Sequence, residues 1–186
     1  VAIPAGKYPG LVMDIATSVI AKGAISLALK EGRPIPEGWA LDKDGAPTTD
    51  PAAANVGALL PFGAHKGYGM EVICSILSFA LSGADMDINI PRFFEQPEKL
   101  TNIGQFMGCF DISKFCKVED FKARVDALFD VLKACRPAAG SKGVMIPGEI
   151  EVGKTKVTLE EGIDLSEATL KDFKEMSEEF GVPYVF

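Results

Sequence analysis

Apolar positions along this 186-residue chain fall into blocks that alternate between extended and helical spacing. Leu11 to Ala16, entered through Pro9-Gly10, is a short apolar run of the buried-strand kind and ends in Thr17-Ser18. Those hydroxyls are good N-caps, so the next block predicts a helix from Val19 to Lys30, closed by Gly32 and Pro34. Apolar residues cover most of that helix, which predicts burial on several sides. Met70 to Leu81 is apolar on nearly every face, with Glu71 its only charge, and predicts a central core helix. Ile103 to Ile112, with Gly104, Phe106, Gly108 and Phe110 in alternation, predicts a strand. Val118 to Cys135 sets Val118, Phe121, Val125, Leu128, Phe129 and Leu132 at helical spacing, with acids at its start and Lys133 and Arg136 at its end. Ser166 to Phe180 repeats that pattern with Leu170, Phe173, Met176 and Phe180, and Gly181 and Pro183 stop it.

Strand, polar turn and helix make an α/β unit, and its turn is where such folds bind ligands. Residues 32–61 form a long connection rich in Pro, Gly, Asp and Thr, with a turn signal at Lys43-Asp44-Gly45. A structureless loop of that length inside a domain is usually functional. The equal alternative is a surface wrap pinned by Trp39. The chain opens at Val1 and reaches core-like sequence within ten residues, the expectation for a segment that begins mid-protein.

Composition narrows the classes. An apolar fraction of 47% describes a filled globule, and a net charge of −7 without a basic cluster argues against nucleic acid and anionic membrane as partners. The longest apolar run falls short of the ~20 residues that span a bilayer. Cys74, Cys109, Cys116 and Cys135 are scattered without a CxxC pair, and the chain has a single histidine, so no metal site is expected. Four reduced thiols of a cytoplasmic protein are expected, three of them buried.

Two glycine-bearing loops could carry chemistry. Phe62-Gly63-Ala64-His65-Lys66-Gly67-Tyr68-Gly69 runs straight into an apolar helix, whose first N–H groups, with His65 and Lys66, favour a phosphate or other anion. The bland alternative is a turn with a surface lysine. His65 could act as an acid, as a wall for a heterocycle, or as a packed turn residue; a ligand contact is the reading preferred. The second loop, residues 139–149, offers backbone N–H groups, Lys142 and Glu149, whose carboxylate suits ribose hydroxyls. Its alternative is a helix C-cap followed by a tight Pro-Gly turn. Neither loop matches GxGxxG or GxxxxGK[ST].

Five blocks in this order resemble the type-2 malate/L-lactate dehydrogenase family: Asp14-Ile15-Ala16-Thr17-Ser18, the run from Ile35 to Asp42, Pro47-Thr48-Thr49-Asp50-Pro51, the run from Leu60 to Gly69, and Pro147-Gly148-Glu149. That family also includes ureidoglycolate and sulfolactate dehydrogenases, diketogulonate reductase and piperideine-carboxylate reductase. The resemblance implies an α/β fold unrelated to the Rossmann dehydrogenases, a mixed sheet with flanking helices. It also implies an oxidoreductase using NAD or NADP to interconvert a 2-hydroxy acid, such as malate or lactate, and its 2-oxo form.

Carried over by position, Asp14, Ile15, Ala16, Thr17 and Ser18 line the nicotinamide nucleotide. His65 and Lys66 contact it at the helix start, and Pro147, Gly148 and Glu149 close the site over it. Residues 1–150 are then the coenzyme-binding domain and 151–186 a helical segment packing back on it. The resemblance covers only the C-terminal part of the family. Its catalytic histidine belongs to an N-terminal segment not present here, so the chain alone is expected to turn over little. Ile15 stands where methionine is usual, Ala64 where glycine is common, and Ser75 where an acid is expected. The partners implied are a small 2-hydroxy or 2-oxo acid, the N-terminal half of the enzyme and a second copy in a homodimer. The rival function is a non-catalytic nucleotide-binding or assembly module.

Overall fold

The strands among the described residues are all two residues long, so the architecture there is set by helices and by the turns that tie them. The computed structural model describes residues 1–91, 96–141 and 143–185, and the chain divides into two compact units, residues 15–111 and residues 1–14 with 112–186.

In the unit of residues 15–111, α1 (Lys22–Lys30) packs on α2 (Pro51–Val56), next to a sheet of β3 (Ala40–Leu41), β4 (Pro47–Thr48) and β5 (Ala58–Leu59). Its order is β4-β3-β5, antiparallel throughout, with Ala40 opposite both Thr48 and Leu59. The connection between 32 and 61 therefore holds a hairpin and a helix. Asp42 closes the hairpin turn by accepting from the Asp44 and Ala46 N–H groups, and Asp50 caps α2 through the Ala52 N–H. Ile25 and Ala28 on α1 meet Ile35, Ala40 and Ala54 in a buried cluster, with Ile20, Trp39 and Leu59 packed against it.

α1 begins three residues later than the hydrophobic pattern predicts. Its N-cap is Ala21, which makes no side-chain cap, because the Ser18 hydroxyl donates instead to the Ile20 carbonyl. It buries one face only, Leu27 and Leu29 being exposed.

α3 (His65–Ser75) continues into a π-helical turn, Ile76–Ala80. The expected core helix is here an exposed one: Met70 is 52%, Ile73 55% and Ile76 51% accessible. An apolar pattern says that a helix wants cover, not that its own unit supplies it. Residues 103–111 run without regular structure where alternation predicts a strand; alternation specifies a strand only where another edge can pair with it.

In the other unit, β1 (Ala2–Ile3) pairs antiparallel with β2 (Leu11–Val12), Ala2 opposite Val12. Every strand pairing among the described residues is antiparallel, in place of the mixed sheet expected. The connection between β1 and β2 is fastened to α4 (Val118–Ala134). The Asp126 carboxylate accepts from the Gly6 and Lys7 N–H groups, Asp130 accepts from the Lys7 ammonium and the Tyr8 hydroxyl, and the Tyr8 ring meets Phe129 edge-on. Positions 126, 129 and 130 share one helical face, so a single stripe of α4 holds the whole turn. The same Lys7 and Tyr8 donors hold the Asp130 carboxyl below its ordinary value.

α5 (Glu149–Glu161) and α6 (Glu167–Phe180) complete this unit. Ser166 caps α6 through the Thr169 N–H, and Gly181, the stop that the sequence predicts, ends it in the left-handed conformation.

Accessible surface totals 14512 Å² for 19.8 kDa, whereas two separate globules of half that mass would together expose about 10,000 Å². Much of the difference is apolar side chain, including Phe106, Met107 and Phe110 in one unit and Leu159, Phe180 and Val185 in the other. Surface of that kind marks contact with more protein. The thiols follow the same trend: Cys74, Cys109 and Cys135 are exposed and Cys116 half-buried, where three were expected to be buried.

Candidate functional site

The residues singled out in the sequence lie in two places, and the boundary between the units falls between Asp14 and Ile15.

In the unit of residues 15–111, the segment from Thr17 to Val19 runs antiparallel to the approach to α3. The Phe62 N–H donates to the Thr17 carbonyl at 3.0 Å, the Val19 N–H donates to the Leu60 carbonyl at 2.8 Å, and Ser18 bridges Pro61. Thr17 and Ser18 are thereby fixed by backbone to the turn that ends at His65. Ile15 and Ala16, just before them, are exposed, and so are His65 and Lys66.

That turn is tightly specified. Gly63 has φ +60°, and Ala64 follows at φ +53° with ψ −124°, the one non-glycine residue of positive φ among those described. Gly67 is buried because α3 starts directly on the Phe62 carbonyl, whose oxygen takes up the space a β-carbon would need. The outcome is a helix start with a cation and an imidazole on its first turn, facing solvent. Helix N–H groups, a lysine and a histidine together suit a pyrophosphate.

In the other unit, Pro147 and Gly148 bend against β2. The Val12 N–H donates to the Pro147 carbonyl at 3.0 Å, and Gly148 sits at φ +97° with its α-carbon turned to Val12. A β-carbon on Gly148 would come within 3.1 Å of Val12, so both the φ and the contact ask for glycine. Asp14, two residues beyond Val12, is exposed. Glu149 opens α5 and folds back: its N–H donates to the Ile146 carbonyl at 3.0 Å, and its Oε2 accepts from the Ile146 N–H at 2.8 Å. The Lys133 ammonium of α4 meets the same carboxylate at 2.7 Å and 2.8 Å from its two oxygens. The Lys133 ammonium first, and the Ile146 N–H second, hold the Glu149 carboxyl below its ordinary value. Lys142, the cation of this loop, lies outside the described residues.

Lys133 is the partner that sequence reasoning missed. It reads there as a dipole-matching charge at a helix end, and sixteen residues separate it from Glu149, too far for helical spacing to connect them.

The family model described as malate/L-lactate dehydrogenase matches residues 1–174. This chain belongs to the malate/L-lactate dehydrogenase family. It is 38% identical over 182 residues to the L-sulfolactate dehydrogenase of Methanocaldococcus jannaschii, covering 98% of this chain and 52% of that protein. A solved structure of sulfolactate dehydrogenase from Methanocaldococcus jannaschii superposes with a TM-score of 0.77 at 37% identity, over 98% of this chain and 52% of the other. The (2R)-3-sulfolactate dehydrogenase (NADP(+)) of Chromohalobacter salexigens is 36% identical over 138 residues, 74% of this chain and 39% of its own length. The ureidoglycolate dehydrogenase (NAD(+)) of Escherichia coli O157:H7 is 34% identical over 155 residues, 83% and 44% respectively. This member of the malate/L-lactate dehydrogenase family thus spans about half the length of the curated relatives it matches. Sulfolactate, malate and hydroxycarboxylate dehydrogenases are among its relatives, which gives no support to a non-catalytic module. No helix among the described residues is long and apolar enough to cross a membrane, and no cluster of His, Cys, Asp and Glu there could hold a metal.

Proposed function

We propose that this chain is the coenzyme-holding part of an NAD(P)-dependent oxidoreductase that interconverts a 2-hydroxy acid, such as malate or lactate, and its 2-oxo acid. The observation that carries the reading is the exposed His65-Lys66 start of α3, locked by backbone to Thr17 and Ser18, in a chain of this family. Lys66 and the first N–H groups of α3 take the pyrophosphate, and His65 stands beside the heterocycle. Asp14, Ile15, Ala16, Thr17 and Ser18 line the nucleotide in this reading, and Pro147, Gly148 and Glu149 close over it. The coenzyme supplies the hydride. This chain's residues hold and orient it.

A 2-oxo acid taking up hydride also needs a proton at the developing alkoxide. The group that supplies it belongs to the part of the enzyme this chain does not span, and the exposed apolar surface of α3 is the place where that part, or a second copy of the chain, finds cover. The fold is of the non-Rossmann kind, and the setting is cytoplasmic. NADP in one relative and NAD in another leave both coenzymes within the proposal.

The experiment is a fluorescence titration of the chain with NADH and NADPH, followed by absorbance assays with a panel of 2-oxo acids. Binding of a reduced coenzyme, weakened by Lys66→Ala and giving turnover only when the remaining half of the enzyme is added, is the expected result. A chain that binds neither coenzyme overturns the assignment, and turnover by the chain alone overturns the division of labour.

A further inference from the structure

The Glu149 carboxylate is engaged at both oxygens. Its Oε2 accepts from the Ile146 N–H and both its oxygens lie on the Lys133 ammonium, at 2.7 Å and 2.8 Å, while its own N–H returns to the Ile146 carbonyl. The ion pair is sheltered, with side-chain accessibilities of 31% for Lys133 and 19% for Glu149. Ile146 between them is buried. On the other side of the turn the Pro147 carbonyl is held by the Val12 N–H, and Gly148 has no room for a side chain against Val12. The bend is thus closed by two fastenings, one to β2 and one to α4, and the second consists of a single carboxylate bridging a lysine and a backbone N–H.

We infer that Lys133 and Glu149 are positioning residues for the Pro147-Gly148 bend, Lys133 acting through Glu149, and that Glu149 does not itself serve as the acceptor for coenzyme ribose hydroxyls. This rests on the coenzyme reading above and changes one role within it. A carboxylate that accepts ribose hydroxyls needs free lone pairs directed at the ligand. Here the Lys133 ammonium on both oxygens and the Ile146 N–H on Oε2 take three of about four such sites, and the pair is largely sheltered. A charge-assisted bridge of this geometry fixes the peptide planes on either side of Pro147, which a solvated carboxylate would not do.

The test uses the full chain and its Lys133→Met, Lys133→Arg, Glu149→Gln and Lys133→Met/Glu149→Gln variants, read by NADH fluorescence titration and by exchange of the Ile146 amide in NMR. In Lys133→Met the Ile146 amide exchanges about tenfold faster and NADH binds about tenfold more weakly. Lys133→Arg restores both, and the double variant is no worse than Glu149→Gln, because the two residues act through one contact. Unchanged Ile146 exchange in Lys133→Met overturns the fastening. Full NADH affinity in Lys133→Met together with its loss in Glu149→Gln overturns it differently, by making Glu149 a direct ligand. A wild-type chain that does not bind NADH counts against the coenzyme reading alone, and the amide exchange still decides the role of Lys133 in the bend. Circular dichroism of each variant separates loss of the bend from loss of the fold.

Discussion

The Phe62 carbonyl oxygen stands where a β-carbon of Gly67 would have to be. The oxygen is a backbone atom and the place of a β-carbon is set by the backbone, so neither can turn aside as the end of a side chain could. Gly67→Ala must therefore lift α3 off the turn that precedes it. The expected loss is about 3 kcal/mol of stability in that unit, read as a lower urea midpoint, together with loss of NADH binding at the helix start. An alanine variant as stable as the parent would show that α3 does not begin on Phe62.

Ala64 works in the opposite direction. Its φ of +53° is a conformation that costs an L-residue and leaves glycine untroubled. Ala64→Gly should raise stability by about 1 kcal/mol, with the thermal midpoint rising and the helix content unchanged. The gain is a matter of local strain alone, so it should appear with and without coenzyme.

The Lys133–Glu149 pair gives unit 1–14/112–186 a definite response to acid. Glu149 titrates lower in the folded chain than its ordinary 4.5, so its stabilising effect is complete above that ordinary value. It is lost as pH falls through the lower folded one. Urea midpoints of the parent and Lys133→Met, followed by circular dichroism, should differ near neutrality and converge in strong acid. A gap that persists at low pH would mean that Lys133 contributes by packing and not by charge.

Ile25 is the one large side chain in the chain's described core that is fully buried, at 1% exposure. Its neighbours Ala28, Ile35, Ala40 and Ala54 are mostly small, so a void there has little to collapse into it. Ile25→Ala should cost about 2–5 kcal/mol and unfold this unit at temperatures the parent tolerates. Leu27→Ala, two positions along on the exposed face, should cost far less.

What the sequence made legible follows from where each signal resides. α4 and α6 are written in their own residues, by periodic apolar positions, a capping Ser166 and a terminating Gly181, and they form close to where that pattern puts them. Periodicity gives no sign of α5, because Ile150, Val152, Val157 and Leu159 make no helical stripe; only the resemblance, through its helical segment of residues 151–186, points to a helix there. β3, β4 and β5 are two residues each, below the length at which alternation can register, and they exist through their mutual pairing and α2. Burial is less local still. α3 carries the apolar composition of a core helix and lies open, since composition cannot state which polypeptide will cover it. In the candidate site, the glycine turns at 63 and 148 were visible as glycines. Their anchors, the Phe62 carbonyl and Val12 with Lys133, depend on chain segments meeting across long separations.

Trp39, packed against the Ile25 cluster with its carbonyl accepting from the Leu60 N–H, is the only indole in the molecule. Its emission consequently watches one of the two units and is blind to the other. An optical melt recorded at that chromophore tracks the neighbourhood of the His65 turn, and comparing it with a whole-chain signal would disclose whether the two units lose their structure together or in succession.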